Sequence, residues 1–343
     1  MTDALPDKTA SDGDVTTGLT APPRTDNEAC EYESRTNLLD LSVGFVEDLH
    51  RKDVRPGKGP EGFCADFQIC LPYRGLFVWH VGDDDIVGDP NQVIFVRGGE
   101  PYRVSGPIRE GYAELVITPD LEVLSEIAHI SGEPLFQHPL FRRRSWRADP
   151  HLQSFGARFL HWARGASGRG EALQAEEVLL ALVRCTLQQD DRREKPNGTT
   201  TTRLVRRTKE FLEANLTSRV LLADIARAVS ASPAYLTDLF SRVEGVSLHQ
   251  YLTQLRLGRA LVELPHATDL TALALDLGFC SHSHFSFVFR RSFGCTPSEF
   301  RDTTRRAARP NPLSGRLSGV HRQMARASRS PSATSPAPRD RSH

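Results

Sequence analysis

The chain lacks the means to hold itself together covalently. Its six cysteines stand at positions 30, 64, 70, 185, 280 and 295 with no C-x-x-C pair among them. That spacing excludes a short disulfide framework and fits a reducing cytoplasm. Long apolar runs are missing too: none approaches the ~18 residues a membrane helix needs. The polar start MTDALPDKTASDGD is no signal peptide, so the expected location is the cytoplasm, with no membrane partner. Net charge is absent, with 43 Lys+Arg against 43 Asp+Glu, but the charge is unevenly spread. Residues 1–40 hold nine acidic against three basic side chains, and 301–343 hold ten Arg against two Asp. An acidic head and a basic tail point either to disordered ends or to a far end that meets nucleic acid. Arg outnumbers Lys along the whole chain, so Arg richness by itself argues genome composition.

What is present suits about two globular domains, with 39% hydrophobic and 25% charged residues over 343 positions. Residues 1–35 are rich in Asp, Thr, Pro and Gly without an apolar period and read as disordered. Between Phe63 and Thr118, short β-branched and aromatic runs alternate with Pro-Tyr-Arg-Gly, Gly-Asp, Asp-Pro-Asn and Gly-Gly turns, the pattern of an all-β sandwich or barrel. Helical stretches follow at 121–130, 151–164 and 171–189, completing a first domain at 36–189. A charged Pro/Gly/Thr linker spans 190–202, a helical domain 203–301, and an Arg/Ser/Pro tail 302–343.

The helical domain repeats itself. Leu222, Ile225, Ala226 and Val229 form an i, i+3, i+4, i+7 stripe, and Leu270, Leu273, Ala274 and Leu277 form it again. After each comes a turn, a Ser suited to an N-cap (Ser232 with Pro233 at N1; Ser281), and a second helix. Leu236/Phe240/Gly245 and Phe285/Phe289/Gly294 match at a constant offset of 49 residues. The segment therefore reads as two helix-turn-helix motifs, 222–243 and 270–292, joined by one longer helix from Ser247 to Leu264. Thr296-Pro297-Ser298-Glu299 is a capping box.

Cys280, His282, His284 and Cys295 are four soft-metal ligands within sixteen residues. With Ser281 as N-cap, Cys280 lies outside the helix, and the two histidines diverge by about 200° around it. Zinc needs convergent ligands, so no metal is expected here, and no cofactor elsewhere.

On these residues the resemblance becomes specific. LLADIARAVSASPAYLTDLFSRVEGVSLHQYLTQLRLGRALVEL, followed by LTALALDLGFCSHSHFSFVFRRSFGCTPSEFR, resembles the AraC/XylS family of bacterial transcription regulators over about a hundred residues. The resemblance implies two motifs entering successive major grooves about one helical turn apart. More loosely, it implies a first half built as a cupin-like β-barrel with a helical pair for dimerisation. The implied partners are double-stranded DNA, a small-molecule effector, a second copy of the chain and RNA polymerase. The fold class expected is thus multidomain α+β, with an all-α second domain.

A helical wheel then sorts the side chains. Base contact is expected from Ala234, Thr237, Asp238 and Ser241 of the first recognition helix. The second is expected to present Ser283, Ser286, Phe287 and Arg290, with His282 at its leading edge. Backbone contact is expected from Ser232, Ser281, His284, Arg256, Arg259 and Arg291. The competing reading is an ordinary solvated helix face. Three positions depart from the family pattern: Ser230 stands where Gly is usual, and Asp238 and Phe287 where basic residues are frequent.

In the β domain, Tyr73, Trp79, His80, Arg97 and Tyr102 are the candidate effector contacts, since a barrel of this kind can hold one small ligand. A cupin enzyme would need an H-x-H and a later His. His80 is followed by Val-Gly, and the later position is nearer Tyr102, so no enzyme is expected. A metal-dependent cupin fused to a DNA-binding domain, and a regulator driven by a partner protein or by redox chemistry (Cys64, Cys70), stand as alternatives.

Overall fold

The structure is a computed structural model that describes residues 33–52, 56–108, 110–130, 141, 143–165, 172–188 and 199–307. The expected tails and linker lie mostly outside these residues. Where they are described, their boundaries move: 33–35 is strand, 199–202 is helix, and the last helix runs on to Ala307.

The described strands form two antiparallel sheets. One holds, in spatial order, β1 (Glu33–Leu41), β2 (Gly44–Arg51), β9 (Tyr112–Pro119), β4 (Gln68–Arg74), β7 (Gln92–Val96) and β10 (Ser145–Arg147). The other holds β3 (Glu61–Phe63), β8 (Pro101–Ser105), β5 (Phe77–Val81) and β6 (Asp84–Gly88). The expected barrel is therefore not closed by hydrogen bonds among the described residues. Its strands divide because the turn after β6 carries the chain across to the other sheet instead of pairing β6 with β7. Asp89 shapes that turn by accepting the Asn91 backbone N–H at 2.8 Å.

The hairpin β1–β2 lies outside the strand-rich stretch that begins at Phe63. β1, ESRTNLLDL, is an edge strand with mostly exposed polar residues, so it carries little apolar alternation. Its signal is Gly44, whose φ of +150° and 2.8 Å approach of a would-be Cβ to the Thr118 carbonyl require glycine.

Strict alternation gives the larger sheet two buried faces. Ile69, Val93, Phe95, Leu115 and Ile117 point one way, while Cys70, Ile94, Val96 and Val116 point the other. Burial on both faces makes these strands read as continuous apolar runs. The first face is covered by α2 (Pro150–Gly165) and α3 (Ala172–Leu187), through Leu152, Phe155, Phe159, Leu179 and Leu182. The short α1 (Leu121–Ile127) is capped by Asp120 and stops before the expected Ile130, with His129 left-handed at φ 55°. The second face meets the smaller sheet across Phe77, Trp79 and Val104.

The second domain comprises α4 (Thr199–Ala214), α5 (Leu222–Val229), α6 (Pro233–Glu244), α7 (Leu248–Glu263), a 3-10 turn Leu264–His266, α8 (Leu270–Asp276), α9 (His282–Phe293) and α10 (Pro297–Ala307). The long helix α7 divides its apolar face between two cores. Leu248, Tyr251, Leu252 and Leu255 pack with α4, α5 and α6; Leu257, Ala260 and Leu261 pack with α8, α9 and α10. Each half of the repeat thus keeps its own core on one rigid spacer.

Candidate nucleic-acid interface and ligand cavity

The two helices expected to read DNA, α6 and α9, start and stop by the same chemistry. Ser232 Oγ accepts the Tyr235 N–H at 3.3 Å, and Ser281 Oγ accepts the His284 N–H at 3.1 Å. Gly245 and Gly294 end them, each left-handed at φ 73°. The two inner turns differ. Ser230 is left-handed at φ 59°, φ 80° being the value at Gly278. A Cβ on Gly278 would stand 2.8 Å from both Arg256 Nη2 and the Thr217 carbonyl. Glycine is therefore required only in the second turn.

Of the expected base-reading residues, Ala234, Asp238, Ser241, Ser283, Phe287 and Arg290 are exposed, and Thr237, His282 and Ser286 are half-buried. Asp238 forms an ion pair with Arg242 one turn on. Thr237 returns its hydroxyl to the Pro233 and Ala234 carbonyls at 3.1 and 3.0 Å. Phe287 is 64% exposed, an apolar side chain standing in solvent on a reading helix. Tyr235, 51% exposed, escaped the wheel. The 49-residue offset could have found it, since it is the counterpart of His284.

The expected backbone contacts divide. Arg291 and His284 are exposed. Ser232 and Ser281 are occupied as caps. The guanidinium of Arg256 donates to the Leu216 and Ser218 carbonyls, both at 2.7 Å, which fixes the approach to α5. Arg259 donates to Glu263 at 2.6 Å and faces Glu110 of the first domain at 4.0 Å. Both arginines are drawn into the protein because α7, a spacer between cores, leaves its long side chains only neighbouring elements to reach.

The four soft-metal ligands do not converge. Cys280 Sγ and His284 Nδ1 are 3.4 Å apart, His282 Nε2 faces Ser286 Oγ at 3.4 Å, and Cys295 receives a bond from Arg158 at 3.5 Å. Among the described residues, no three His, Cys, Asp or Glu side chains gather to hold a metal ion.

In the first domain, a cavity of about 480 Å³, including its mouth, opens between the two sheets. Of the expected effector contacts, Trp79 and Tyr102 line it, with ring centroids 5.6 Å apart. The others lie elsewhere. Tyr73 donates to Asp48 at 2.6 Å and accepts from Arg164 at 2.8 Å, on the opposite face of the sheet. Arg97 donates to the Phe141 carbonyl at 2.7 and 3.0 Å. His80 is buried beneath the wall, where Nδ1 donates to Asp85 at 2.5 Å and Nε2 stands 2.8 Å from the Ser105 hydroxyl. Neighbours in a strand point to opposite faces, so Trp79 and His80 could not both reach the cavity.

The cavity also gathers charge that a strand-by-strand reading of the sequence passes over. Glu33, Arg35, Arg51 and Glu114 line it. Arg35 pairs with Glu33 at 2.8 Å and with Glu47 at 3.5 Å, and Arg51 lies 3.6 Å from Glu33. Glu114 is 7% exposed, and its Oε2 has no hydrogen-bond partner among the described residues. Burial pushes its carboxyl up to about 7, against the opposing pull of Arg35 and Arg51. Its signal was a carboxylate at an inward position of the apolar strand YAELVITP.

A second cavity, about 470 Å³, lies where the domains meet, lined by apolar parts of β4, α2 and α7. Beside it the contact between domains is polar and buried. Tyr251 of α7 donates to Asp89 at 2.5 Å. Lys209 of α4 lies 2.8 Å from Glu244, the last residue of α6, and 3.8 Å from Asp89. All three charged side chains are at most 5% exposed. Further out, Arg206 of α4 donates to Asp85 at 2.6 Å, on the carboxylate that holds His80.

A family model described as a helix-turn-helix domain matches residues 225–303. The regulatory protein SoxS of Salmonella typhimurium is 35% identical over 94 residues, which are 27% of this chain and 87% of SoxS. The transcriptional activator RhaR of Klebsiella pneumoniae is 28% identical over 172 residues, 43% of this chain and 60% of RhaR. The solved structure of a Chromobacterium violaceum regulator with an AraC-type DNA-binding domain is 30% identical, covering 31% of this chain and 96% of that one, with a TM-score of 0.30. The chain spans 33–60% of the length of the first curated relatives it matches.

Proposed function

The chain belongs to the AraC/XylS family of bacterial transcription regulators, and from that premise we propose that it reads a two-part DNA site under the control of a small effector held between its two sheets. It acts by binding rather than catalysis. Each reading helix offers its exposed arc to one major groove, α7 sets their separation, and the exposed Arg291 of α9 holds a phosphate. The first half of the site meets Ala234, Thr237, Asp238 and Ser241. The second meets His282, Ser283, Ser286, Phe287 and Arg290, with Phe287 suited to a thymine methyl group.

The control reading rests on one observation: the helices that read and space the DNA site are bonded into the first domain through buried charge. Tyr251 lies on the spacer and Glu244 ends the first reading helix, and both meet Asp89, directly or through Lys209. A ligand that shifts β5 or β6 is carried to α4 by His80, Asp85 and Arg206. The cupin-like character of the first domain and a dimer contact on α3, where Leu173 is 67% exposed, belong to the same reading.

Selection from a randomised duplex pool with the full chain tests it. The expected product is a site of two conserved patches with centres about 10 base pairs apart, bound with a steep inverse dependence on salt. No enrichment over random sequence would contradict the reading.

A further inference from the structure

The cavity between the sheets has an electrostatic asymmetry that narrows what it can hold. Its two guanidiniums are already matched: Arg35 by Glu33 and Glu47, and Arg51 by Glu33 together with the Tyr112 hydroxyl. Glu114 is not matched. It is a buried part of the lining, in contact with the Cys70 thiol, with Oε2 facing no donor. Of the two carboxyl groups in the lining, Glu33 is held by both guanidiniums, and Glu114 is the one left with an oxygen that no donor reaches. An anionic ligand would bring a second acceptor against Glu114, whereas a cation brings the donor it lacks.

The remaining walls are aromatic. Trp79 and Tyr102 lie with centroids 5.6 Å apart, and Phe77 and Tyr112 at 4.2 Å. Such faces attract both flat rings and cations.

We propose that the effector is a small arylalkyl amine, its cationic nitrogen on Glu114 and its ring against Trp79 and Tyr102. This rests on the reading of the cavity as the effector site and goes further by naming the charge and shape of the occupant. A cation donates the hydrogen bond that Glu114 Oε2 lacks once the carboxyl turns toward the cavity.

Calorimetry on the full chain with three isosteric probes tests the assignment: 2-phenylethylamine, 2-phenylethanol and phenylacetate. The amine is expected to bind at least about tenfold more tightly than the alcohol, the worth of one charge-assisted hydrogen bond, and phenylacetate most weakly. In Glu114→Gln the preference for the amine is expected to vanish while the alcohol binds as before; in Trp79→Ala all three weaken. A preference that survives in Glu114→Gln, or phenylacetate equalling the amine, would overturn the class of ligand and leave the cavity as effector site. If none of the three binds, the ligand class and the cavity reading both fail. Should Glu114→Gln not fold, the ranking of the three probes on the natural chain decides.

Discussion

Replacing Lys209 by Met removes the cation that lies between the two buried carboxylates at the contact between the domains, while keeping the length and most of the volume of the side chain and leaving Arg147 on the Glu244 carbonyl. Lys209 Nζ lies 2.8 Å from Glu244 and 3.8 Å from Asp89, at side-chain exposures of 4%, 5% and 0%. The substitution leaves two buried carboxylates without the counter-charge between them, and breaking a buried pair from one side typically costs about 3–5 kcal/mol. Protonation limits that cost. Burial already raises the Asp89 carboxyl, and the charge of Lys209 and the hydroxyl of Tyr251 pull it back. Without Lys209 it rises further above its unfolded value. A carboxyl raised on folding loses its contribution as pH climbs through the folded value, so the variant should be most impaired at pH 8 and least at pH 5. Urea unfolding at both pH values measures this. We expect a loss of about 3 kcal/mol at pH 8, smaller at pH 5, and largely recovered in Lys209→Met/Glu244→Gln. A loss below ~0.5 kcal/mol at pH 8, the range of ordinary surface substitutions, would refute the argument that this contact holds the domains together.

Three further outcomes follow from the same geometry. Asp238→Ala breaks only an exposed i, i+4 pair with Arg242, so stability should fall by no more than ~0.5 kcal/mol, while selection from a randomised pool should show a relaxed preference at one base pair if the carboxylate reads a cytosine amino group; an unchanged preference everywhere would leave the ion pair as its role. Ser230→Gly should stabilise by up to ~1 kcal/mol by relieving a left-handed non-glycine residue, whereas Gly278→Ala should destabilise by more than that because its Cβ would meet Arg256 and Thr217 at 2.8 Å; thermal unfolding of the pair reads the contrast. Glu213 is raised to about 7, first by burial and then by Asp89, so stability should decline as pH rises from about 4.5 towards 7, and in Glu213→Gln that slope should flatten by up to ~3 kcal/mol across the window.

Much of this architecture is legible from local signals. The caps at Ser232 and Ser281, the box at Thr296–Glu299 and the 49-residue repeat are short-range chemistry, and the structure carries them with the expected partners. What hides is whatever depends on long-range pairing. β1 is an exposed edge strand, so its polar sequence resembles the tail before it. Arg256 looks like a phosphate contact until Leu216 and Ser218 are seen to take its guanidinium. Of the five effector candidates, Trp79 and Tyr102 line the cavity because they alternate correctly, and His80 does not because it is next to Trp79. Glu114, Asp89 and Lys209 carry no motif at all. Asp89 and Lys209 become meaningful only when residues up to 162 positions apart in the chain, such as Asp89 and Tyr251, come together in one buried contact.

Two helices on one rigid spacer should read two separate patches of DNA, and partitioned selection separates their contributions. The full chain, a Thr237→Ala/Ser241→Ala variant and a Ser286→Ala/Arg290→Ala variant would each be taken through the same randomised duplex pool. We expect the first variant to lose sequence preference in one patch only and the second in the other, the two patches lying about one helical turn apart. Loss of preference across the same base pairs in both variants, or none in either, would contradict a two-motif reader.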